Sequence, residues 1–267
     1  MSANDPSVRF SIERGIGQIL FNRPEQLNAI DFGVANDLSA ALDTLLPNPD
    51  VRGIVPSGAG RAFMAGGDLA TFNAADDKPE TSRRLIGSVH ASLERLAEAQ
   101  QIVVASVHGA VAGAGFSIAA GADMAIAADD ATFNLGYLKI GASPDCGSTW
   151  TLPRLVGLRR ALQIAPLSET IKAEQAFEIG LVNRVVAASE RESETTKLAE
   201  RIASGPALAM ANTKRLMRES IGRPYAEQLA NEQARFSTCA GHEDFSEGVG
   251  AFLDRRKPVF AKAFRPS

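Results

Sequence analysis

The chain has 267 residues, 45% of them hydrophobic and 22% charged, with a formal net charge of -3. That length holds one large domain, or a domain with an appendage, of ordinary globular composition. With no Lys/Arg block, nucleic acid is excluded as a partner. Cys146 and Cys239 make no disulfide framework, and His90, His108 and His242 lie far apart without paired ligand spacing, so no metal site is expected. The thiols are expected to be reduced and the protein cytoplasmic. Met1 to Pro6 is polar, without an apolar signal core, and no run reaches the length of a membrane span.

In chain order, Val8–Glu13 and Gln18–Phe21 read as two strands of a hairpin around Arg14-Gly15. Asn22 to Ile30 is an irregular polar loop. Asp31 is an N-cap for a helix in which Val34, Leu38, Leu42 and Leu45 recur at helical spacing up to Pro47. Val51–Val55 reads as a strand and Ser57 to Arg61 as a turn. Ala62 to Leu69 is a glycine step with Asp68 just behind it. Asn73 to Pro79 reads as loop, and Thr81–Ala99 as a helix with Leu85, Val89, Leu93 and Leu96 inward.

Ile102 to Val107 is an apolar, β-branched run, the mark of a buried strand. His108-Gly109, Gly113-Ala114-Gly115 and a small-residue helix from Phe116 to Ala122 follow it. Glycines there let backbone approach closely, and a helix start leaves N–H groups free for negative charge. Three readings stand at this point: a dinucleotide turn, plain helix packing, or an oxyanion hole awaiting a second donor. Gly109-x3-Gly113-x-Gly115 is not the G-x-G-x-x-G spacing of the first.

Met124–Ala128 and Ala131–Phe133 read as short strands, and Gly136 to Cys146 as a loop containing Pro144-Asp145. Ser148–Val156 and Leu158–Ala165 are helical around Gly157. A further helix from Ala173 ends at a Gly180 C-cap and leads to a strand ending at Val186. The remainder is helical: Glu190–Ala203, Ala207–Ile221, Tyr225–Thr238 and Asp244–Arg255, punctuated by Pro206, Gly222-x-Pro224 and Gly241. Alternation followed by helices makes an α/β core with a helical appendage.

Four separated segments then fit one pattern: Phe21 to Ile30, Gly60 to Leu69, His108 to Ser117 and Asp244 to Pro258. Together they resemble the crotonase superfamily, the enoyl-CoA hydratase/isomerase family, over nearly the whole chain. The resemblance implies an α/β crotonase fold, a spiral of ββα units spanning about 1–203, with a helical trimerisation region at 204–267 and a homotrimer or dimer of trimers. It implies an acyl-CoA thioester substrate and no cofactor beyond the coenzyme A it carries. Gly67 and Ala114 would supply the oxyanion N–H groups. Most members have Gly where this chain has Ala114, which keeps its N–H. Leu27, Asn28 and Ala29, with Ala65, Gly66, Asp68, Leu69, Gly113 and Tyr137, match the coenzyme A and substrate site, Asp68 anchoring its own loop. Phe252 and Arg255 match positions that reach the nucleotide of a neighbouring subunit; simple core packing is the other reading of Phe252.

In hydratases of the family two glutamates activate water and supply the proton. Their positions are Ser117 and Tyr137 here. One carboxylate remains in the loop, Asp145. Its segment, Ser143 to Arg154, is most similar to bacterial epoxyphenylacetyl-CoA and enoyl-CoA isomerases. One base suffices to shift a double bond through a thioester enolate. A free aspartate is a weak base at neutrality, so Phe116, Tyr137, Leu138 and Trp150 are expected as an apolar wall around it. The plain structural reading of Asp145 is an N-cap for the helix near Ser148. The alternatives are hydration by another residue set, haloaroyl-CoA dehalogenation with Asp145 as nucleophile and His90 activating water, and a non-catalytic binder of coenzyme A esters.

Overall fold

Three times in succession the chain lays one strand in a large sheet and the next in a small one. The strands are β1 (Val8–Glu13), β2 (Ile16–Phe21), β3 (Gly53–Gly58), β4 (Ala62–Met64), β5 (Ile102–Val107), β6 (Ala110–Ala112), β7 (Met124–Ala128), β8 (Thr132–Asn134), β9 (Ile171–Lys172) and β10 (Arg184–Val186). The pairs β3/β4, β5/β6 and β7/β8 each divide between a six-stranded sheet ordered β1-β2-β3-β5-β7-β10 and a four-stranded sheet ordered β4-β6-β8-β9. All neighbours in the large sheet are parallel except β1 with β2, and only β9 runs antiparallel in the small one. This computed structural model describes residues 5–261; the polar start and the outermost ends of both expected regions lie outside the described residues.

The helices are α1 (Phe32–Leu45), α2 (Leu69–Asn73), α3 (Lys78–Glu98), α4 (Ala114–Gly121), α5 (Ser148–Val156), α6 (Leu158–Leu167), α7 (Ala173–Glu178), α8 (Arg191–Ala203), α9 (Ala207–Ser220), α10 (Tyr225–Ala240) and α11 (Glu243–Leu253). Helix α1 starts where its cap dictates: Asp31 Oδ1 accepts from Val34 N at 2.9 Å, and Val34, Leu38, Leu42 and Leu45 are buried. The main core lies between the sheets and α1, α3 and α4; Ile16, Val55, Val104, Ala199 and Ile202 form a second core under α8 on the other face of the large sheet.

Several elements depart from the expectations. Helix α3 begins at Lys78 because Asp77 caps it, and Ser92 is fully buried while Leu93 beside it is partly buried. Helix α2 fills the stretch between the glycine step and the loop expected from Asn73, since Asp68 Oδ1 accepts from Ala70 N at 3.0 Å. Strand β3 continues through Pro56 to Gly58 because Ser57 is paired on both sides, with Leu20 and with Ser106. Strands β6 and β9 are two or three residues long and carry no period of their own.

A buried ion cluster fastens α9 to the sheet. Lys214 Nζ lies 2.8 Å from Asp123 Oδ2 and donates to the carbonyls of Leu96 at 3.1 Å and Gln101 at 2.9 Å. Arg218 takes the other Asp123 oxygen at 2.7 Å, and Asp123 Oδ2 also accepts from Val103 N. Burial pulls the Lys214 ammonium below the usual lysine range, and Asp123 opposes that. Removing the partner strands a buried cation, so Asp123→Asn is expected to cost about 3 kcal/mol of stability. Chemical unfolding measures it, and an unchanged midpoint would show that Arg218 and the carbonyls suffice.

Candidate active site

The loop before α1 and the glycine step pair with each other. Ala65 N donates to Leu27 O at 2.9 Å, Ile30 N to Gly66 O at 2.8 Å and Asp68 N to Ile30 O at 2.8 Å. On this segment the ladder uses the N–H groups of Ala65 and Asp68 and leaves that of Gly67 without a partner among the described residues. Leu27 and Asn28 both sit at positive φ, 50° and 59°. The Asn28 side chain is the reason the turn holds. It is buried, its Nδ2 faces the carbonyls of Ala59, Ala62 and Phe63 at 2.9 to 3.1 Å, and its Oδ1 accepts from Arg23 N. Asn28 is thus spent inside the loop, and contact with a ligand falls to the backbone around it.

Arg23 is a residue the sequence reading did not single out. Its guanidinium donates to Ala29 O at 2.6 Å and lies 3.1 Å from both Asp31 and Asp68. Asp68 is engaged twice, by Arg23 and by capping α2, so it anchors the loop. Leu69, by contrast, is exposed.

The second segment is brought against the first by glycine. Gly66 has φ 105° and Gly113 φ 53°. A Cβ on Gly113 would lie 3.1 Å from Gly66 Cα, and one on Gly66 would lie 3.6 Å from Ala114 N. Helix α4 starts at Ala114, two residues earlier than expected, with Gly113 as its cap. The Ala114 N–H belongs to the first turn and has no partner among the described residues. Two unspent main-chain donors, of Gly67 and Ala114, thus stand on segments in van der Waals contact.

One helical turn on, Ser117 Oγ lies 3.2 Å from the carbonyls of both Gly113 and Asp145 and 3.4 Å from the Tyr137 hydroxyl. The Tyr137 hydroxyl donates to Asp145 Oδ1. Burial first, and the Asp145 charge second, push the Tyr137 phenol far up, so it stays protonated. Cys146 is buried beside it, and the same two causes, burial ahead of the Asp145 charge, push its thiol up. On the other side, His90 Nε2 accepts from Cys146 N at 3.1 Å.

The sequence of the chain matches the model of one family, enoyl-CoA hydratase/isomerase, over residues 11–263. The chain belongs to this family. Among relatives of enoyl-CoA hydratases and isomerases, it is 37% identical over 254 residues to a probable enoyl-CoA hydratase of Rhodobacter capsulatus, covering 95% of this chain and 97% of that protein. It is 33% identical over 251 residues to the 1,2-epoxyphenylacetyl-CoA isomerase of Escherichia coli, covering 93% and 96%. Its structure superposes on that of an enoyl-CoA hydratase from Polaromonas sp. JS666 with a TM-score of 0.91 at 31% identity, covering 95% of this chain and 99% of the other. The arrangement of strand pairs and C-terminal helices is the crotonase fold.

Within this enoyl-CoA hydratase/isomerase fold, two expectations about Asp145 are corrected. Its side chain does not cap α5. Gly147 is the cap, and it is the Asp145 carbonyl that accepts from Ser148 N at 3.2 Å. Nor is its surrounding purely apolar, for Tyr137 sets a hydroxyl on the carboxylate. Phe116 is fully buried against Phe133, with ring centroids 6.3 Å apart, and Leu138 and Trp150 are exposed, the latter under Arg154. The Asp145 side chain accepts from the Tyr137 hydroxyl and meets the Cys146 thiol. Tyr137, expected at the substrate site, is tied to the carboxylate.

Phe252 and Arg255 lie elsewhere. Phe252 is 83% exposed, which corrects the core-packing reading, and it lines an apolar groove of about 370 Å³ with Leu208, Phe245, Val249 and Leu253. Among the described residues no cluster of three or more His, Cys, Asp or Glu could hold a metal, and no helix is long and apolar enough to cross a membrane.

Gly115 tests the close approach. A Cβ there would lie 2.4 Å from Met64 O and 2.7 Å from Met64 Cβ, and main chain cannot swing away. Gly115→Ala is expected to cost roughly 1–3 kcal/mol by overpacking and to push α4 off β4. Thermal unfolding and ligand affinity should fall together; a variant with unchanged melting would mean that the two segments have slack.

Proposed function

We propose that the chain is an acyl-CoA double-bond isomerase working through a thioester enolate. The observation that carries this reading is Asp145. It is the one carboxylate of the site's cluster, and the positions where the resemblance expects two hydratase glutamates carry hydroxyls, that of Tyr137 on the carboxylate and that of Ser117 on the Asp145 main-chain carbonyl.

In this reading the thioester carbonyl receives the N–H groups of Gly67 and Ala114, which polarise it and hold the oxyanion that develops. The coenzyme A lies along the 27–29 and 65–69 segments. Asp145 Oδ2, the oxygen not bonded to Tyr137, takes a proton from one carbon of the acyl chain. The electron pair moves into the conjugated enolate, and Asp145, now a neutral acid, returns the proton two carbons away. Tyr137 keeps its own proton throughout, because burial and the adjacent carboxylate hold the phenol protonated. No water enters the balance. The 1,2-epoxyphenylacetyl-CoA isomerase relative supports isomerisation; the relatives named hydratases support the family and not the choice.

The reading includes a homotrimer or a dimer of trimers in the cytoplasm. Helices α9 to α11 support self-association, for Met217, Ile221, Leu229, Phe236, Phe252 and Leu253 are all exposed there.

Incubation in heavy water with 2-enoyl-CoA and 3-enoyl-CoA esters is expected to move the double bond with deuterium incorporation. Asp145→Asn should slow this by about 10²–10⁴-fold. Products carrying one added water in place of a shifted bond would overturn the isomerase reading. The oxyanion donor has its own test. Proline is tolerated at a first helical position, so Ala114→Pro deletes one N–H while keeping α4. Its kcat is expected to fall about 10²–10³-fold with unchanged melting. Retention of kcat would remove Ala114 from the oxyanion hole.

A further inference from the structure

The Asp145 carboxylate is delivered by an unusual piece of backbone. Cys146 has φ 52° and Gly147 φ 79°, two consecutive residues in the left-handed region. Glycine adopts it freely; cysteine, with a Cβ, is sterically disfavoured there. A strained residue next to a reactive group persists only where its surroundings fix it.

The peptide unit joining Asp145 to Cys146 is gripped at both ends. Its carbonyl accepts from Ser148 N at 3.2 Å, Ser148 Oγ at 3.0 Å and Ser117 Oγ at 3.2 Å. Its N–H donates to His90 Nε2 at 3.1 Å, from a helix 56 residues earlier in the chain. Helices α4 and α5 therefore hold the oxygen side of this plane and α3 holds the nitrogen side. Fixing the plane fixes ψ of Asp145 and φ of Cys146, and with them the direction in which Asp145 leaves the backbone toward Tyr137. Without an acceptor at residue 90 the plane can turn and let Cys146 relax.

We infer that His90 is a positioning residue, in its Nδ1–H tautomer, whose Nε2 holds the Cys146 N–H and so the turn that aims Asp145. The inference rests on the isomerase reading for its catalytic consequence, though not for the geometry. It also gives His90 a role opposite to water activation: the nitrogen that would take a proton from water is already an acceptor for main chain. Glutamine can offer an acceptor oxygen from the same position, and leucine offers none.

The test uses the full-length protein with His90→Gln and His90→Leu. Nitrogen-15 spectra of the wild-type histidines are expected to show His90 protonated on Nδ1. Amide exchange at Cys146 should be slow in wild type and His90→Gln and fast in His90→Leu. With enoyl-CoA esters, His90→Leu should lower kcat about 10²-fold, the scale of a small misplacement of a reacting group, while leaving KM unchanged. His90→Gln should restore most of that loss. An Nε2–H tautomer, equal damage by both substitutions, or a fully active His90→Leu would each overturn the inference. So would chloride release from a haloaroyl-CoA ester that both substitutions abolish, because His90 would then be activating water. If the wild type moves no double bond, the isomerase reading fails, and the tautomer and amide exchange still decide the role of His90. If His90→Leu does not fold, the tautomer and the exchange in wild type and His90→Gln decide it.

Discussion

The site depends on one steric constraint: main chain meets main chain where β4 and the glycine step pass under the start of α4. Gly115 has no room for a Cβ against Met64, and Gly113 stands at the same kind of distance from Gly66. Such proximity needs residues without side chains. It also decides which N–H groups are left over. The pairing of residues 27–30 with 65–68 uses the donors of Ala65 and Asp68 and passes over that of Gly67, and the helix geometry of α4 consumes none at Ala114. Two free donors in contact segments thus follow from sheet register and helix start, and no side chain need be aimed to produce them.

Around that contact, polar side chains serve chiefly as fasteners. Arg23 ties the 22–30 loop to both Asp31 and Asp68, and Asn28 nails the same loop to the turn leading into β4. Asn28 and Asp68 match ligand-site positions in the sequence. In the fold their hydrogen-bonding capacity is already used. At the far end of the chain the division is reversed. Lys214 and Arg218 fix α9 to Asp123 by buried charge, while α10 and α11 turn Phe236, Phe252 and Leu253 outward. The cost of desolvating that lysine argues for fixing this one helix in place. The apolar faces beyond it stay exposed.

What could be read from the chain was whatever local chemistry determines. Asp31 before a 3.6-residue apolar repeat gave α1 its start, and the glycine-rich turn after a β-branched run marked the backbone donor. Unreadable were features made by distant residues. Pro56 and Ser57 look like a turn, yet pairing on both sides keeps them in β3. Tyr137 and Asp145 are eight residues apart in a loop, and nothing in their spacing says that a hydroxyl will meet a carboxylate. His90 on an amphipathic helix has no sequence mark of its contact with Cys146. A positive φ at a cysteine is likewise invisible until the fold imposes it. Asp145 itself was legible as the odd carboxylate in a loop, but its apolar wall was inferred from hydrophobic neighbours whose directions the helices had yet to set.

The replacement of two acids by hydroxyls changes what the site can balance. Two carboxylates can divide labour, one taking a proton from water while the other gives one. A serine and a buried tyrosine cannot stand in for them: Ser117 is bonded to carbonyls and Tyr137 is held in its protonated form. What they can do is orient the acid that remains. The phenol engages one Asp145 oxygen and so fixes the direction of the one carboxylate left as acceptor. A single acceptor, once protonated, resets by giving a proton back, either the one it took or one exchanged with solvent. Under the proposed isomerase reading the net change is then limited to where on the substrate a proton is returned, and for that one carboxylate, well held, is enough.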